Sequence, residues 1–331
     1  PRPRGWYRKY TTGALFLFLE EKEPNRTLAK NFVFLLGLSH LCIAPQSDIL
    51  VWILCRWIQR QRNEETSMYS IDFQKKKGFI CDMDGVIYHG SQVLPGVPEF
   101  IRWLNEEKKS YLFLTNNSGS TPKELQQKLA RMGLDVPEEH FYTSALATAA
   151  FLKSQAPGCS VYALGEAGLL NALYDADITM NDIDPDYVVI GESQNYSLNT
   201  ITKAINLVLG GAKLIGANSD VSAPGEGITV PACGALVAPI EMATGTRAYF
   251  CGKPNPLMMR TGLRLLKCHS EDAVMVGDRM DTDVISGMES GMSTVLVLSG
   301  ISTPETLKTY SYRPSMILDG VGDIVRAAQE G

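Results

Sequence analysis

The sequence predicts an α/β fold with a doubly wound, mainly parallel, Rossmann-like sheet. Short apolar stretches of strand length recur from residue 78 onward, and helix-like segments separate most of them. This alternation is typical of a parallel sheet covered by helices on both faces. Polar residues directly follow several stretches, at the sheet edge where such folds bind ligands. The predicted strands are residues 78–81, 111–114, 161–164, 187–190, 213–215, 248–251, 273–276 and 294–298.

The composition indicates a globular chain with room for one large or two ordinary domains. Of 331 residues, 45% are hydrophobic and 20% are charged, which disfavours wholesale disorder and a multi-span membrane protein. The net charge of -5 argues against a nucleic-acid binder, which usually carries a basic surface. The seven cysteines lie at least thirteen positions apart, so neither a CxxC metal site nor a dense disulfide framework is predicted. A reducing, cytoplasmic setting is the simplest interpretation.

Residues 1–67 differ from the rest of the chain. They hold three of the four tryptophans and ten basic against six acidic residues, whereas all twelve methionines lie from Met68 onward. Two apolar stretches, 32–44 and 49–57, are shorter than the roughly 18 to 20 residues of a spanning helix. A secretory signal would place its apolar run nearer the terminus. We interpret residues 1–67 as an atypical extension read upstream of a start at Met68. A membrane-proximal anchor and a small extra element are the other interpretations.

One helix start is marked clearly in the sequence. Thr121-Pro122-Lys123-Glu124 is typical of a capping box with proline at the first helical position, and Gly133 suits the far end of the helix. The pattern predicts a helix that begins at residue 122 and ends shortly before Gly133.

Two aspartates follow the first predicted strand. Asp82 and Asp84 are separated by one residue, so both side chains face one side of an extended chain, and Gly85 allows a sharp turn. An EF-hand loop is excluded because Ile87 and Val93 stand where that loop has glycine and glutamate. A plain Asp-Gly turn is an alternative for this segment taken alone.

Small polar residues follow the strand at 111–114. Thr115, Asn116, Asn117 and Ser118 offer hydroxyl, amide and backbone N–H groups that can cradle phosphate oxygens. Such clusters are more often ordinary turn and cap residues.

A lysine, Lys253, follows the strand at 248–251. It does not belong to a Walker A loop, because Pro254 occupies the serine or threonine position of that motif. A solvated surface lysine is the ordinary interpretation of any single lysine.

Three aspartates follow the strand at 273–276. Asp281 fits the role of a helix N-cap, and Asp283 fits a favourable interaction with the helix dipole. Neither explanation applies to Asp278.

The strand ends together predict a metal site. Asp82, Asp84 and Asp278 would repel one another without a cation, and Lys253 and the Thr115 hydroxyl would lie nearby. Mg²⁺ prefers oxygen ligands and binds through one or two carboxylates plus substrate phosphate. We therefore expect Mg²⁺ as the cofactor.

The four segments, taken in order, resemble the motifs of the haloacid dehalogenase-like hydrolases. The matching residues are Asp-Met-Asp-Gly-Val at 82–86, Thr-Asn-Asn at 115–117, Gly-Lys-Pro at 252–254 and Gly-Asp-Arg-Met-Asp-Thr-Asp at 277–283. More narrowly, the chain is similar to the NagD-type ribonucleotide monophosphatases of subfamily IIA. That likeness rests on Cys-Asp-x-Asp-Gly-Val, Phe-Tyr-Thr-Ser-Ala-x-Ala-Thr-Ala at 141–149 and Pro-Ala-Cys-Gly-Ala-Leu at 231–236. It runs from about residue 77 to about residue 326.

The resemblance implies a role for each of these residues. Asp82 would be the nucleophile that forms an aspartyl-phosphate, and Asp84 would act first as acid and then as base. Mg²⁺ would be held by Asp82, the backbone carbonyl of Asp84 and Asp278, with Asp283 as support. Contacts to the substrate and its phosphate map onto Asp84, Thr115, Asn116, Lys253, Arg279, Met280, Asp281 and Thr282.

The resemblance also implies an inserted α/β cap domain of the C2 type. The 135 residues between Asn117 and Lys253 are far more than a crossover connection needs. We expect the hydrolase core at 68–149 and 247–331 and the cap at 150–246. Within the cap, Asn218-Ser219-Asp220 follows a predicted strand and is the segment expected to reach the substrate, although these residues are also typical of a turn.

The implied activity is that of a Mg²⁺-dependent phosphomonoesterase acting on a small phosphorylated metabolite. By resemblance, nucleoside 5′-monophosphates such as UMP come first, and phosphoglycolate, pyridoxal phosphate and sugar phosphates are rivals. The alternative from another class is a phosphate-ester-binding regulator without turnover, which the intact catalytic residue types disfavour. A phosphomutase is disfavoured by the large insertion. No nucleic-acid or membrane partner is expected.

Overall fold

The computed structural model describes residues 71–224 and 227–330 of the chain. The interpretations of residues 1–67 therefore lie outside the described residues. Within the described ranges, no helix has the length and apolar character needed to cross a membrane.

Short strands alternate with helices along the described chain. In chain order the strands are β1 (Gly78–Cys81), β2 (Tyr88–His89), β3 (Gln92–Val93), β4 (Ser110–Thr115), β5 (Phe141–Thr143), β6 (Ser160–Leu164), β7 (Thr179–Met180), β8 (Tyr187–Ile190), β9 (Lys213–Gly216), β10 (Ser222–Pro224), β11 (Thr229–Pro231), β12 (Tyr249–Phe250), β13 (Ala273–Gly277), β14 (Ser293–Val297) and β15 (Met316–Leu318). Each of the eight predicted strands overlaps one of these.

The helices follow the same alternation. In chain order they are α1 (Val97–Glu106), α2 (Pro122–Arg131), α3 (Ser144–Gln155), α4 (Ala167–Asp175), α5 (Leu198–Leu209), α6 (Cys233–Thr244), α7 (Pro256–Leu266), α8 (Ile285–Glu289), α9 (Pro304–Leu307) and α10 (Gly322–Glu330). A π-helical turn, Met280–Val284, leads into α8. At the start of α2 both hydrogen bonds of the predicted capping box are present, between Thr121 and Glu124.

The first sheet has six parallel strands in the order β15-β14-β13-β1-β4-β5. The chain adds β4 and β5 on one side of β1 and later adds β13, β14 and β15 on the other. β1 therefore lies where the strand order reverses, and in open parallel sheets ligands bind outside the carboxyl ends of the strands at such a point. The residues that follow β1, β4 and β13 meet at this edge.

Helices cover both faces of the first sheet. Successive side chains of a strand point to opposite faces, so neighbouring residues of β1 pack against different helices. Phe79 and Cys81 of β1 pack with residues of α1, α2 and α10. Ile80 packs on the other face with Met258 and Met259 of α7. The predicted doubly wound α/β fold is confirmed.

The second sheet lies between Asn117 and Lys253, and its strand β12 falls three residues beyond the predicted cap boundary at 246. Its five strands pair in parallel in the order β12-β9-β8-β6-β7. Residues of α4 cover one face and residues of α5 and α6 cover the other. The inserted α/β cap is thus confirmed, and we call β6–β12 with α4–α6 the cap domain. Its predicted boundaries at residues 150 and 246 stay a prediction.

Helix α3 belongs to two apolar clusters at once. Ala145, Ala149 and Leu152 pack with residues of the cap domain, whereas Ala147 packs with residues of the core. A helix that is apolar around most of its circumference is a buried one. α3 therefore connects the two sheets through packing as well as through the chain.

Candidate active site

The end of β1 places two aspartates at the carboxyl edge of the sheet. The backbone N–H of Asp82 donates to the carbonyl of Val276 at 2.9 Å, which ties this end to β13. Gly85 has a φ of 79°, and a Cβ at this position would lie 2.6 Å from Oδ2 of Asp278. Glycine supplies both the left-handed backbone and the space that the turn needs.

Three carboxylates converge beside this turn. One oxygen each of Asp82, Asp278 and Asp283 lies within 4.8 Å of the others. Asp278 is buried, and its Oδ2 accepts a hydrogen bond from the N–H of Ile301 at 2.7 Å. Burial, with the nearby charges of Asp283 and Asp82, raises the pKa of Asp278. A divalent cation among these oxygens would relieve the repulsion.

Lys253 lies buried among the same carboxylates. Its side chain is 2% exposed, and its Nζ donates to Oδ1 of Asp82 and to Oδ1 of Asp283, both at 2.7 Å. Burial alone would lower the pKa of Lys253, but the charges of Asp283 and Asp82 outweigh it and raise that pKa. The ordinary interpretation of a solvated lysine is therefore wrong.

Asp283 supports the lysine. Both of its oxygens are engaged, because Oδ1 accepts from Lys253 and Oδ2 accepts from the backbone N–H of Arg279 at 3.1 Å. In Asp82, Oδ1 accepts from Lys253, and in Asp278, Oδ2 accepts from the backbone N–H of Ile301. The donor set thus suits a hard cation held by Asp82 and Asp278, with Asp283 behind Lys253.

The loop after β4 reaches the same place. Thr115 is buried, and its hydroxyl oxygen accepts from the N–H of Asn117 at 3.1 Å, so its own hydrogen is free to donate elsewhere. Oδ1 of Asn116 accepts from the backbone N–H of Lys253 at 2.7 Å, and its Nδ2 donates to the Lys253 carbonyl at 3.1 Å. Asn116 thereby holds the backbone that carries Lys253.

The side chain of Asp84 lies apart from the three converging carboxylates. It is 49% exposed, and Oδ1 lies 3.6 Å from Nδ1 of His89 on the β2–β3 hairpin. Nε2 of His89 lies 2.7 Å from the carbonyl oxygen of Ser299. This leaves the Asp84 carboxyl accessible to an incoming ligand.

Of the residues after Asp278, some form ion pairs and others have buried side chains. Arg279 pairs with Asp220 of the cap domain at 3.0 Å and with Asp281 at 2.9 Å. Met280 and Thr282 are buried, and Met280 packs with the apolar residues of the π-helical turn and β14. A cavity of about 250 Å³ lies here, lined by Arg279, Met280 and Asp281 together with Val221, Ser222, Ile301, Ser302, Thr306 and Tyr310.

Two predicted cap residues contact the core. Nδ2 of Asn218 donates to the carbonyl of Asn116 at 2.6 Å, and Oδ2 of Asp220 accepts from Nδ2 of Asn116 at 2.9 Å. Glu192, which was not among the predicted site residues, also contacts this loop through Ser118. It lies two residues after the end of β8, so inspecting the residues that follow each strand would have found it.

Comparison with known proteins agrees with this arrangement. A family model described as haloacid dehalogenase-like hydrolase matches residues 79–179, and one described as HAD-hydrolase-like matches residues 250–324. A dihydroxyacetone phosphatase of Corynebacterium glutamicum is 46% identical over 74% of this chain and 90% of its own length. The ribonucleotide monophosphatase NagD of Escherichia coli is 40% identical over 75% of this chain and 98% of its own.

The chain belongs to the haloacid dehalogenase-like hydrolases. The solved structure of NagD from Escherichia coli K-12 superposes with a TM-score of 0.72 at 39% identity, covering 75% of this chain and 98% of that one. The chain is thus a NagD-like member of the hydrolase family and a phosphoric monoester hydrolase. Its relatives are named as phosphatases of small phosphate esters.

The pairing of Lys253 leads to a stability prediction. Replacing Lys253 by methionine leaves Asp283 buried without a cation, so the Lys253→Met variant should lose about 3 to 5 kcal/mol of unfolding free energy. Urea denaturation measures this loss. The double variant Lys253→Met/Asp283→Asn should recover most of it, because the buried side chain at position 283 then carries no charge.

The matched control for this prediction is Lys203, which pairs with Asp182 on the surface of the cap domain. Lys203→Met should change the unfolding free energy by about 1 kcal/mol or less. Equal unfolding free energies for Lys253→Met and the wild type would contradict the account of the buried pair.

Proposed function

We propose that this phosphatase is Mg²⁺-dependent and works through an aspartyl-phosphate on Asp82. The observation that carries the proposal is the placement of Asp82: its Oδ1 accepts from the ammonium of Lys253 at 2.7 Å, and one of its oxygens lies within 4.8 Å of an oxygen of Asp278, after β1, where the strand order reverses. A nearby cation helps a nucleophilic carboxylate because it offsets the charge of the phosphate that the carboxylate must approach.

The metal would be held by Asp82, Asp278 and the backbone carbonyl of Asp84. When bound, Mg²⁺ offsets the charge of the phosphate and of the carboxylates around it. Asp283 would support this set from behind Lys253, since its Oδ1 accepts from Lys253 and its Oδ2 accepts from the backbone N–H of Arg279.

In the first step, an oxygen of Asp82 attacks phosphorus and the bond from phosphorus to the ester oxygen breaks. Asp84 gives its proton to the departing alkoxide. In the second step, Asp84 takes a proton from a water molecule that attacks the aspartyl-phosphate. The bond from phosphorus to Asp82 breaks, and inorganic phosphate leaves.

Three groups are proposed to bind the phosphate oxygens. They are the ammonium of Lys253, the hydroxyl of Thr115 and the backbone N–H of Asn116. Fixed donors of this kind supply most of the stabilisation in phosphoryl transfer, because the charge on the equatorial oxygens meets groups that need no reorganisation. The side-chain amide of Asn116 is occupied in holding the backbone of Lys253.

The leaving group is proposed to lie in the cavity beside Arg279 and Asp281. The sequence resemblance and the NagD relative favour a nucleoside 5′-monophosphate such as UMP. The relative named dihydroxyacetone phosphatase is more similar, at 46% identity, and favours a triose phosphate. The cavity of about 250 Å³ falls below the roughly 300 to 1,000 Å³ of most ligand pockets, and hydroxyl side chains contribute to its wall, which favours the smaller ester.

Met280 and Thr282, predicted as substrate contacts, are buried and would contribute through backbone groups.

The cytoplasmic location stays a prediction, based on the spacing of the cysteines.

Turnover of a phosphate-ester panel with and without Mg²⁺ tests the reaction. Asp82→Asn should abolish phosphate release because the nucleophile is lost, and Asp84→Asn should lower kcat by about 10² to 10⁴-fold because only the acid and base are lost. Asp182→Asn, an exposed cap-domain aspartate, should retain wild-type turnover. Equal release by Asp82→Asn and the wild type would assign the activity to a contaminant.

Metal binding is tested separately by thermal unfolding. Mg²⁺ at about 100 times its Kd should stabilise the wild type by about 2.7 kcal/mol. Asp278→Asn should lose this stabilisation, whereas Asp84→Asn should keep it, because Asp84 is proposed to contribute its backbone carbonyl. Stabilisation of Asp278→Asn to the wild-type extent would refute the ligand set.

Substrate preference is tested by comparing kcat/KM for dihydroxyacetone phosphate and UMP. We expect the larger value for dihydroxyacetone phosphate, because of the size and hydroxyl groups of the cavity. The reverse order would identify a nucleotide phosphatase instead.

A further inference from the structure

Glu192 of the cap domain is joined to Ser118 of the core by reciprocal hydrogen bonds. Oε2 of Glu192 accepts from the backbone N–H of Ser118 at 2.8 Å and also from the Ser118 hydroxyl. The backbone N–H of Glu192 donates in return to the Ser118 hydroxyl oxygen at 2.9 Å. Ser118 is fully buried, so this pairing fixes the middle of the loop that follows β4.

The other oxygen of Glu192 is linked, through Asn218, to Asn116 at the start of the same loop. Oε1 accepts from Nδ2 of Asn218 at 2.7 Å, and that Nδ2 also donates to the carbonyl of Asn116 at 2.6 Å. Oδ1 of Asn218 accepts from the N–H of Asp220 at 3.1 Å, which sets the orientation of the amide. Asn218 is fully buried. The residues that follow β8 and β9 of the cap domain therefore hold the loop after β4 of the core.

The chain of hydrogen bonds continues into the catalytic groups. Asn116 binds the backbone of Lys253 on both sides, and Nζ of Lys253 donates to Asp82. A displacement of the loop would thus move the ammonium that faces Asp82.

Close backbone packing surrounds this contact. A Cβ at Gly191, next to Glu192, would lie 2.7 Å from Oγ of Ser118. A Cβ at Gly168 of α4 would lie 2.5 Å from the carbonyl oxygen of Ser120, and the N–H of Gly168 donates to the carbonyl of Gly119 at 2.8 Å. The loop is consequently held by cap backbone as well as by side chains.

We propose that Glu192 is a positioning residue for the phosphate site. This inference rests on the function proposed above. Through Ser118 and Asn218 it holds the phosphate-binding loop, and through Asn116 it sets the place of Lys253. The cap domain then has a part in binding the phosphate group that every substrate shares.

The variant Glu192→Gln tests this role, because glutamine keeps the size but turns an NH₂ group toward one of the donors on Ser118 or Asn218. In the full chain with Mg²⁺, we expect kcat/KM for 4-nitrophenyl phosphate to fall by about tenfold, since small displacements of positioned groups have effects of this order or larger. We expect the inhibition constant of inorganic phosphate to rise by about tenfold. Asn218→Asp should act in the same direction, and the double variant should be little worse than the more impaired single variant, because both act on one contact.

The control is Glu241→Gln, a cap-domain carboxylate that accepts from the N–H of Ala248 at 2.8 Å, remote from the loop. It should stay within about twofold of the wild type. If Glu192→Gln lowers the melting temperature but leaves both constants unchanged, the residue is only structural and the proposal fails. If phosphate binds more tightly to Glu192→Gln, the glutamate acts through its negative charge, and the proposal fails as well.

A milder variant covers the case in which Glu192→Gln does not fold. Ser118→Ala removes the hydroxyl but keeps the backbone N–H that donates to Glu192, and it should weaken phosphate binding by about threefold. Unchanged binding would overturn the proposal. A wild type without Mg²⁺-dependent turnover would refute the proposed function, whereas an active wild type matched by Glu192→Gln would refute the positioning role alone.

Discussion

The site depends on a buried ammonium held between two carboxylates. Lys253 contacts Asp82 and Asp283, and Asp278 lies within the same few ångströms. Three ionised carboxylates so close together would repel one another, and the ammonium of Lys253 offsets part of that repulsion. The buried ammonium thus helps the edge of the sheet to hold these acids together.

Much of this site was predictable because its signals are local. Asp82 and Asp278 directly follow the buried strands β1 and β13, and Thr115 is the last residue of β4, so strand and site residue are neighbours in the sequence. Topology then brings the ends of β1, β4 and β13 to one edge, since β1 lies where the strand order reverses. The short strands β5 and β15, of three residues each, were not predicted, because three apolar residues do not show a period.

What the sequence did not show depends on distant partners. Lys253 is buried by Asp82 and Asp283, which lie 171 and 30 positions away, so its own neighbourhood in the chain suggests an ordinary surface lysine. Glu192 meets Ser118 across 74 positions. The cavity beside Arg279 is formed jointly by cap and core residues, so its size could not be read from either segment alone.

Helix α3 limits how this architecture can be altered. Its residues pack on the cap domain with Ala145 and Ala149 and on the core with Ala147. Excising the insertion would expose one flank of this helix to water, and exchanging it for an unrelated lid would require a new surface shaped to that flank. A change of specificity in this architecture is therefore accommodated more readily in the loops where core and insertion meet than by exchange of the whole insertion.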